Sequence, residues 1–130
     1  MLVVRVLREG VTVRVLLATD RVDFGHALCL YLNECDVDVV DVVDDPACLL
    51  ARAAAERPDV VLVDWHLGEA VSKEAVAGLQ SGGDPTPVVI LSTSRDTAPA
   101  KTTGAAACAT VGDRPDSLLA VLTEVAPKAL

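Results

Sequence analysis

Aromatic side chains are almost missing from this chain, which has one Trp, one Tyr and one Phe in 130 residues. A core without rings must be assembled from many small aliphatic contacts, and 52% of the residues are apolar, nearly all of them Val, Leu and Ala. Long hydrophobic runs are also lacking. None approaches the roughly 18 residues of a membrane span, and no signal-peptide pattern is visible, so the expected location is the cytoplasm. Positive charge is scarce: 11 Lys and Arg face 19 Asp and Glu, for a net charge of −8 at pH 7. Such a surface repels phosphate backbones and anionic lipid, which argues against direct nucleic-acid or membrane binding by this chain. The four cysteines, Cys29, Cys35, Cys48 and Cys108, have no CxxC or zinc-knuckle spacing and read as structural thiols.

What remains is an ordinary globular composition, with 23% charged residues and a length suited to one core. VTVRVLLATD (11–20) reads as a strand running into a polar loop. From Val22 to Leu32, Phe24, Leu28 and Tyr31/Leu32 recur at helical spacing. DVDVVDVVDD (36–45) is a valine strand interleaved with aspartates, as suits a sheet edge where like charges discourage pairing with another chain. Pro46 opens a helix to about Arg57 that buries Leu49/Leu50 and Ala53/Ala54. VVLVD (60–64) and VVIL (88–91) are apolar without alternation, the mark of strands covered on both faces. Between them, a weak helix spans Ser72–Gln80 on Val71, Ala75 and Leu79, and SGGDPTP (81–87) is a loop. Pro99 permits only a short helix near 98–103. AAACATV (105–111) is a weak fifth strand, and Leu118, Val121/Leu122 and Val125 stripe a closing helix.

Strand–helix alternation with all-apolar central strands implies a (βα)5 doubly wound parallel sheet of the α/β class. Chemistry in such sheets collects at the carboxyl ends of the strands, which here carry Asp20, Asp64 and Ser92. The predicted domain spans 11–126, after an N-terminal extension (1–10) and before a short tail (127–130). The extension reads equally as a leader, an extra edge strand or half of a hairpin.

LLATD, PDVVLVDWHLG (58–68), PVVILSTS (87–94) and GAAACATVGDRPDSLL (104–119), in that order and spacing, resemble a bacterial response-regulator receiver domain over residues 12–125. The resemblance implies a CheY-like, flavodoxin-like fold with strand order 2-1-3-4-5. It implies that Asp64 is the phosphoacceptor facing a histidine kinase, with magnesium held by Asp20, Asp64 and the backbone carbonyl of His66. Ser92 takes the place of the hydroxyl that contacts phosphate. Several positions depart from the family. Thr19 stands where a second strand-one acid belongs, Val111 where the strand-five lysine belongs, and Cys108 at the aromatic switch position. The usual proline after the acceptor loop is lost around Gly68 and Glu69.

Charge neutralisation is nearly the whole of phosphoryl-transfer catalysis. A site without its lysine is therefore expected to bind magnesium weakly or not at all, and to be a pocket without a cation. The implied function is an atypical receiver in signal transduction or transcriptional regulation. It would act by protein contact through its fourth helix, fifth strand and fifth helix, as a homodimer, with a histidine kinase or another signalling protein as partner. A helix-turn-helix output domain would lie outside this chain.

Two alternatives stay open. One is a small-molecule sensor of the same fold. The other is a cobalamin-binding domain of an enzyme, since Asp20 and Gly25 in DRVDFGHALCLYL (20–32) fit Asp-x-His-x-x-Gly, although Val22 replaces the cobalt-ligating histidine. For each feature a plainer role competes: Asp20 as a helix N-cap, Asp64 as a loop cap, Ser92 as a strand-end hydroxyl, His66 as a solvated loop histidine. No hydrolytic arrangement can be assembled from His26 and His66, so the domain is not expected to be an enzyme.

Overall fold

The computed structural model describes residues 13–81, 85–92, 101, 103–110 and 115–125. Five strands, β1 (Arg14–Ala18), β2 (Asp38–Val43), β3 (Val60–Asp64), β4 (Val88–Ser92) and β5 (Ala107–Thr110), form one sheet in the order β2-β1-β3-β4-β5. Every pairing is parallel. The helices are α1 (Val22–Glu34), α2 (Pro46–Glu56), α3 (Glu69–Gln80) and a closing helix, α4 (Pro115–Val125), with a 3-10 turn at Trp65–Leu67.

The two-residue alternation of the central strands divides their side chains between two cores. Val15, Leu17, Val60, Leu62, Val89 and Leu91 pack with Leu28 and Leu32 of α1 and with Leu118, Leu119 and Leu122 of α4. Leu16, Ala18, Val61, Val63, Val88 and Ile90 pack with Leu49 and Ala53 of α2 and with Ala75, Val76 and Leu79 of α3. Helices on both faces explain why VVLVD and VVIL carry no polar alternation: every residue of β3 and β4 is buried. The aspartate-interleaved β2 lies at the sheet edge, as its charge predicts.

Several boundaries differ from the sequence reading. β2 is shorter than 36–45, and β4 runs on to Ser92. α3 begins at Glu69 rather than Ser72, because Gly68 at φ +107° turns the chain straight from the 3-10 turn into the helix. Along α3 it is Ser72, not Val71, that is fully buried; its hydroxyl donates to the Gly68 carbonyl at 2.9 Å, so the burial costs little. On α2, Ala53 is buried but Ala54 is exposed. Residues 1–10, Val111, the tail and most of the expected helix near 98–103 lie outside the described residues. The four cysteines form no disulfide.

Candidate functional site

Register alone brings two of the singled-out residues together. Ala18 pairs with Val63, so Thr19, just after β1, and Asp64, the last residue of β3, are the next residues along at the same edge of the sheet. Thr19 is held there by its backbone N–H, which donates to the Val43 carbonyl at the end of β2 (2.8 Å). Its hydroxyl donates to Asp64 Oδ2 at 2.7 Å and accepts the Arg21 N–H at 3.1 Å. Gly25, one turn into α1, permits this closeness. A Cβ there would lie 3.1 Å from the Thr19 methyl group, so this glycine serves α1 packing and needs no cofactor to explain it.

The sequence reading missed the decisive residue. Arg21 is the residue preceding α1, in extended backbone with φ −92° and ψ 101°. Its Nε donates to Asp64 Oδ2 and its Nη2 to Oδ1, both at 2.8 Å, in a two-pronged pair. The guanidinium also lies over the Phe24 ring, 4.3 Å from its centroid. The backbone N–H of His66 adds a fourth bond, to Oδ1 at 3.0 Å. Asp64 thus accepts four hydrogen bonds, two on each oxygen, and a carboxylate has about four lone-pair sites. The carboxylate is saturated.

Asp64 is 1% exposed, while the Arg21 side chain keeps a third of its surface in water. Burial pushes the Asp64 carboxyl up, but the bonds from Arg21, Thr19 and His66 and the guanidinium charge outweigh it. They hold the group below the usual carboxylate range. The same bond to Asp64 raises Arg21 further above its already high value.

The remaining candidates fall around this clamp. Asp20 is half-exposed, and its Oδ1 lies 3.6 Å from His66 Nδ1. Nor does it cap α1, since the residue before that helix is Arg21 and no side-chain cap bond forms. Asp64 does act as a cap, for the 3-10 turn, as well as anchoring the clamp. Ser92 is buried at the end of β4, one residue past the Leu91 that pairs with Asp64, and is matched with Thr110. Cys108 is partly buried on β5 opposite Ile90. Trp65 is partly buried and packs against the α2–α3 core.

One expectation needs correction. The pocket does not lack a cation, because Arg21 supplies one from the loop after β1. The expected magnesium set was Asp20, Asp64 and the backbone carbonyl of His66; no group of three or more metal-binding side chains occurs among the described residues. Magnesium needs oxygen ligands with free lone pairs in near-octahedral array. Here guanidinium nitrogens sit at hydrogen-bond distance from both Asp64 oxygens, and Asp20 is turned toward an imidazole. The residues present do not fit that ion. A weak signal for Arg21 was available: a cation directly after the strand-one acid, with the chain's single Phe three residues on.

No protein-family model matches the sequence, and no curated protein does. Solved structures do match. The signal receiver domain of the putative response regulator NarL from Mycobacterium tuberculosis superposes with a TM-score of 0.78 at 24% identity, covering 90% of this chain and 98% of that one. Chemotaxis response regulator CheY4 of Vibrio cholerae gives 0.74 at 23% identity, covering 88% and 98%. The receiver domain of Ssk1 from Saccharomyces cerevisiae, solved with the histidine phosphotransfer protein Ypd1, gives 0.74 at 16% identity, covering 92% and 93%. The chain has the receiver-domain fold. Within that fold, Asp64 ends the third strand beside Thr19, and the strand order is the one the resemblance implied.

Proposed function

We propose that this domain acts in signal transduction by protein contact, and that Asp64 occupies the phosphoacceptor position but is quenched as an acceptor. The supporting observation is the saturated carboxylate. To attack phosphorus, a carboxylate oxygen must present a lone pair in line with the leaving group. On Asp64 that requires breaking a buried, charge-assisted bond to Arg21 or the bond to Thr19 before any chemistry begins.

The contact surface on this reading comprises the fourth-helix region, β5 and α4. The partner is a histidine kinase or another signalling protein, with a second copy of the chain pairing through the α4 side and any helix-turn-helix output lying outside this chain. The domain itself catalyses nothing. The test is intact-mass measurement after incubation with acetyl phosphate and magnesium. Little or no adduct on Asp64 is expected, and rapid stoichiometric labelling would overturn the reading.

A second reading, small-molecule sensing, has one observation in its favour. An open groove of about 450 Å³ runs between the β1–α1 loop and the end of β2, with Arg21, His26, Cys29 and Asp44 in its lining. Thermal-shift screening against metabolites tests it, and a flat response across a broad library counts against it. For cobalamin, Val22, 83% exposed, stands at the motif's histidine position and the groove's imidazole, His26, falls four residues later, so added cobalamin should give no bound visible spectrum.

A further inference from the structure

We infer that Arg21 is a resident substitute for a divalent cation, a latch that keeps the Asp64 site metal-free, and that this one side chain is what excludes the metal. The inference rests on the reading of Asp64 as an acceptor-type carboxylate and adds the residue that controls it.

Three observations carry it. The guanidinium meets both Asp64 oxygens at 2.8 Å, so it takes the direct inner contacts that an ion at this carboxylate would need. It is held there by the carboxylate and by the Phe24 ring 4.3 Å away, while the backbone N–H of Arg21 is anchored on Thr19, whose hydroxyl also binds Asp64. The local charge is also partly offset. Thr19 is neutral where a second acid would stand, which leaves Asp20 and Asp64 against one guanidinium, and Asp20 also has the His66 imidazole beside it. A dication entering this site would meet a fixed like charge.

Arginine suits the role because its planar fork matches a carboxylate and it does not lose its proton in the physiological range. Near neutral pH the latch therefore does not respond to pH. It is not permanent with respect to conformation. Arg21 sits just outside α1, and a third of its side chain is in water, so it can leave Asp64 without unwinding a helix.

The test uses Trp65, the single tryptophan and the residue after Asp64, as a fluorescence reporter during titration with Mg²⁺ and Mn²⁺. Wild type is expected to stay flat. Arg21→Gln and Arg21→Ala should titrate to saturation about 10- to 100-fold more tightly than any wild-type response, the factor set by losing the charge-assisted bonds that the ion must displace. Melting temperature under the same additions is the second readout, because an ion that binds the folded state raises it even in a weakened variant. A rise confined to the variants supports the latch.

Saturable binding by wild type with the same affinity as Arg21→Gln overturns it. So do folded variants that ignore both ions in fluorescence and in melting. That failure is separable from failure of the proposed function. Metal-blind variants leave an unphosphorylated wild type as expected, whereas acetyl phosphate labelling of the wild type strikes the functional reading itself.

Discussion

Two arginine–carboxylate clusters in this molecule have nearly the same contact distances and very different surroundings. At the carboxyl edge of the sheet, Arg21 Nε lies 2.8 Å from an Asp64 that is 1% exposed. On the outer face of β2 and α2, Arg52 Nε lies 2.7 Å from Asp41, with both side chains 39% exposed, and Arg52 continues to Glu56 at 3.0 Å. Glu56 in turn receives Arg14. Distances alone would rank these clusters as equals. Burial separates them. In water a pair is screened and side-chain entropy cancels most of its gain, whereas a buried carboxylate stripped of its partner has nowhere to place its charge.

The largest expected effect tests that contrast directly. Arg21→Ala should cost about 2–4 kcal/mol in urea unfolding at pH 7, somewhat below a fully enclosed pair because water reaches the guanidinium. Equal losses for Arg21→Ala and Arg52→Ala would break the comparison.

Next comes Thr19→Val, which keeps the volume but deletes the hydroxyl between Asp64 and the Arg21 N–H. A loss of about 1–2 kcal/mol is expected by the same measurement. A neutral result would mean that Thr19 only fills space.

The dependence on pH sharpens the contrast further. The Asp64 carboxyl is held below its ordinary value of about 3.9, so its contribution is fully present above that value and is lost as pH falls through the depressed folded one. In Arg21→Ala, burial without the guanidinium should raise the carboxyl instead. That penalty applies at neutral pH and is relieved on acidification. Melting temperatures of wild type and variant should therefore converge between pH 7 and pH 4, and parallel curves would contradict the assignment.

The smallest effect belongs to the outer cluster. Arg52→Ala should cost no more than about 1 kcal/mol, and most of that should vanish in concentrated salt, where the screening length is only about 3 Å at 1 M. The Arg21→Ala loss should hardly respond to salt.

The fold was largely legible before any coordinates because its signals are local. VVLVD and VVIL have the look of strands covered on both faces, Pro46 opens α2, and the aspartates of β2 mark an edge. Errors came where a single residue overrides a pattern. Gly68 starts α3 three residues early, and Ser72 occupies a buried position because a backbone carbonyl satisfies it. Of the site, Asp64 is legible at the end of its strand and Thr19 through the family resemblance, but their partner is not. Hydrophobic periodicity carries no information about where a long polar side chain points, and the family resemblance places the cation at position 111, not at position 21.

Composition and pattern by themselves determined a doubly wound α/β domain with an aspartate at the end of its third strand, because burial on two faces leaves a continuous apolar imprint on a short segment. Only the tertiary structure decided what that aspartate touches. Arg21 and Asp64 are separated by 42 residues of chain and meet because β1 and β3 are neighbours in register, and the choice between an open carboxylate and a closed one was made by that contact.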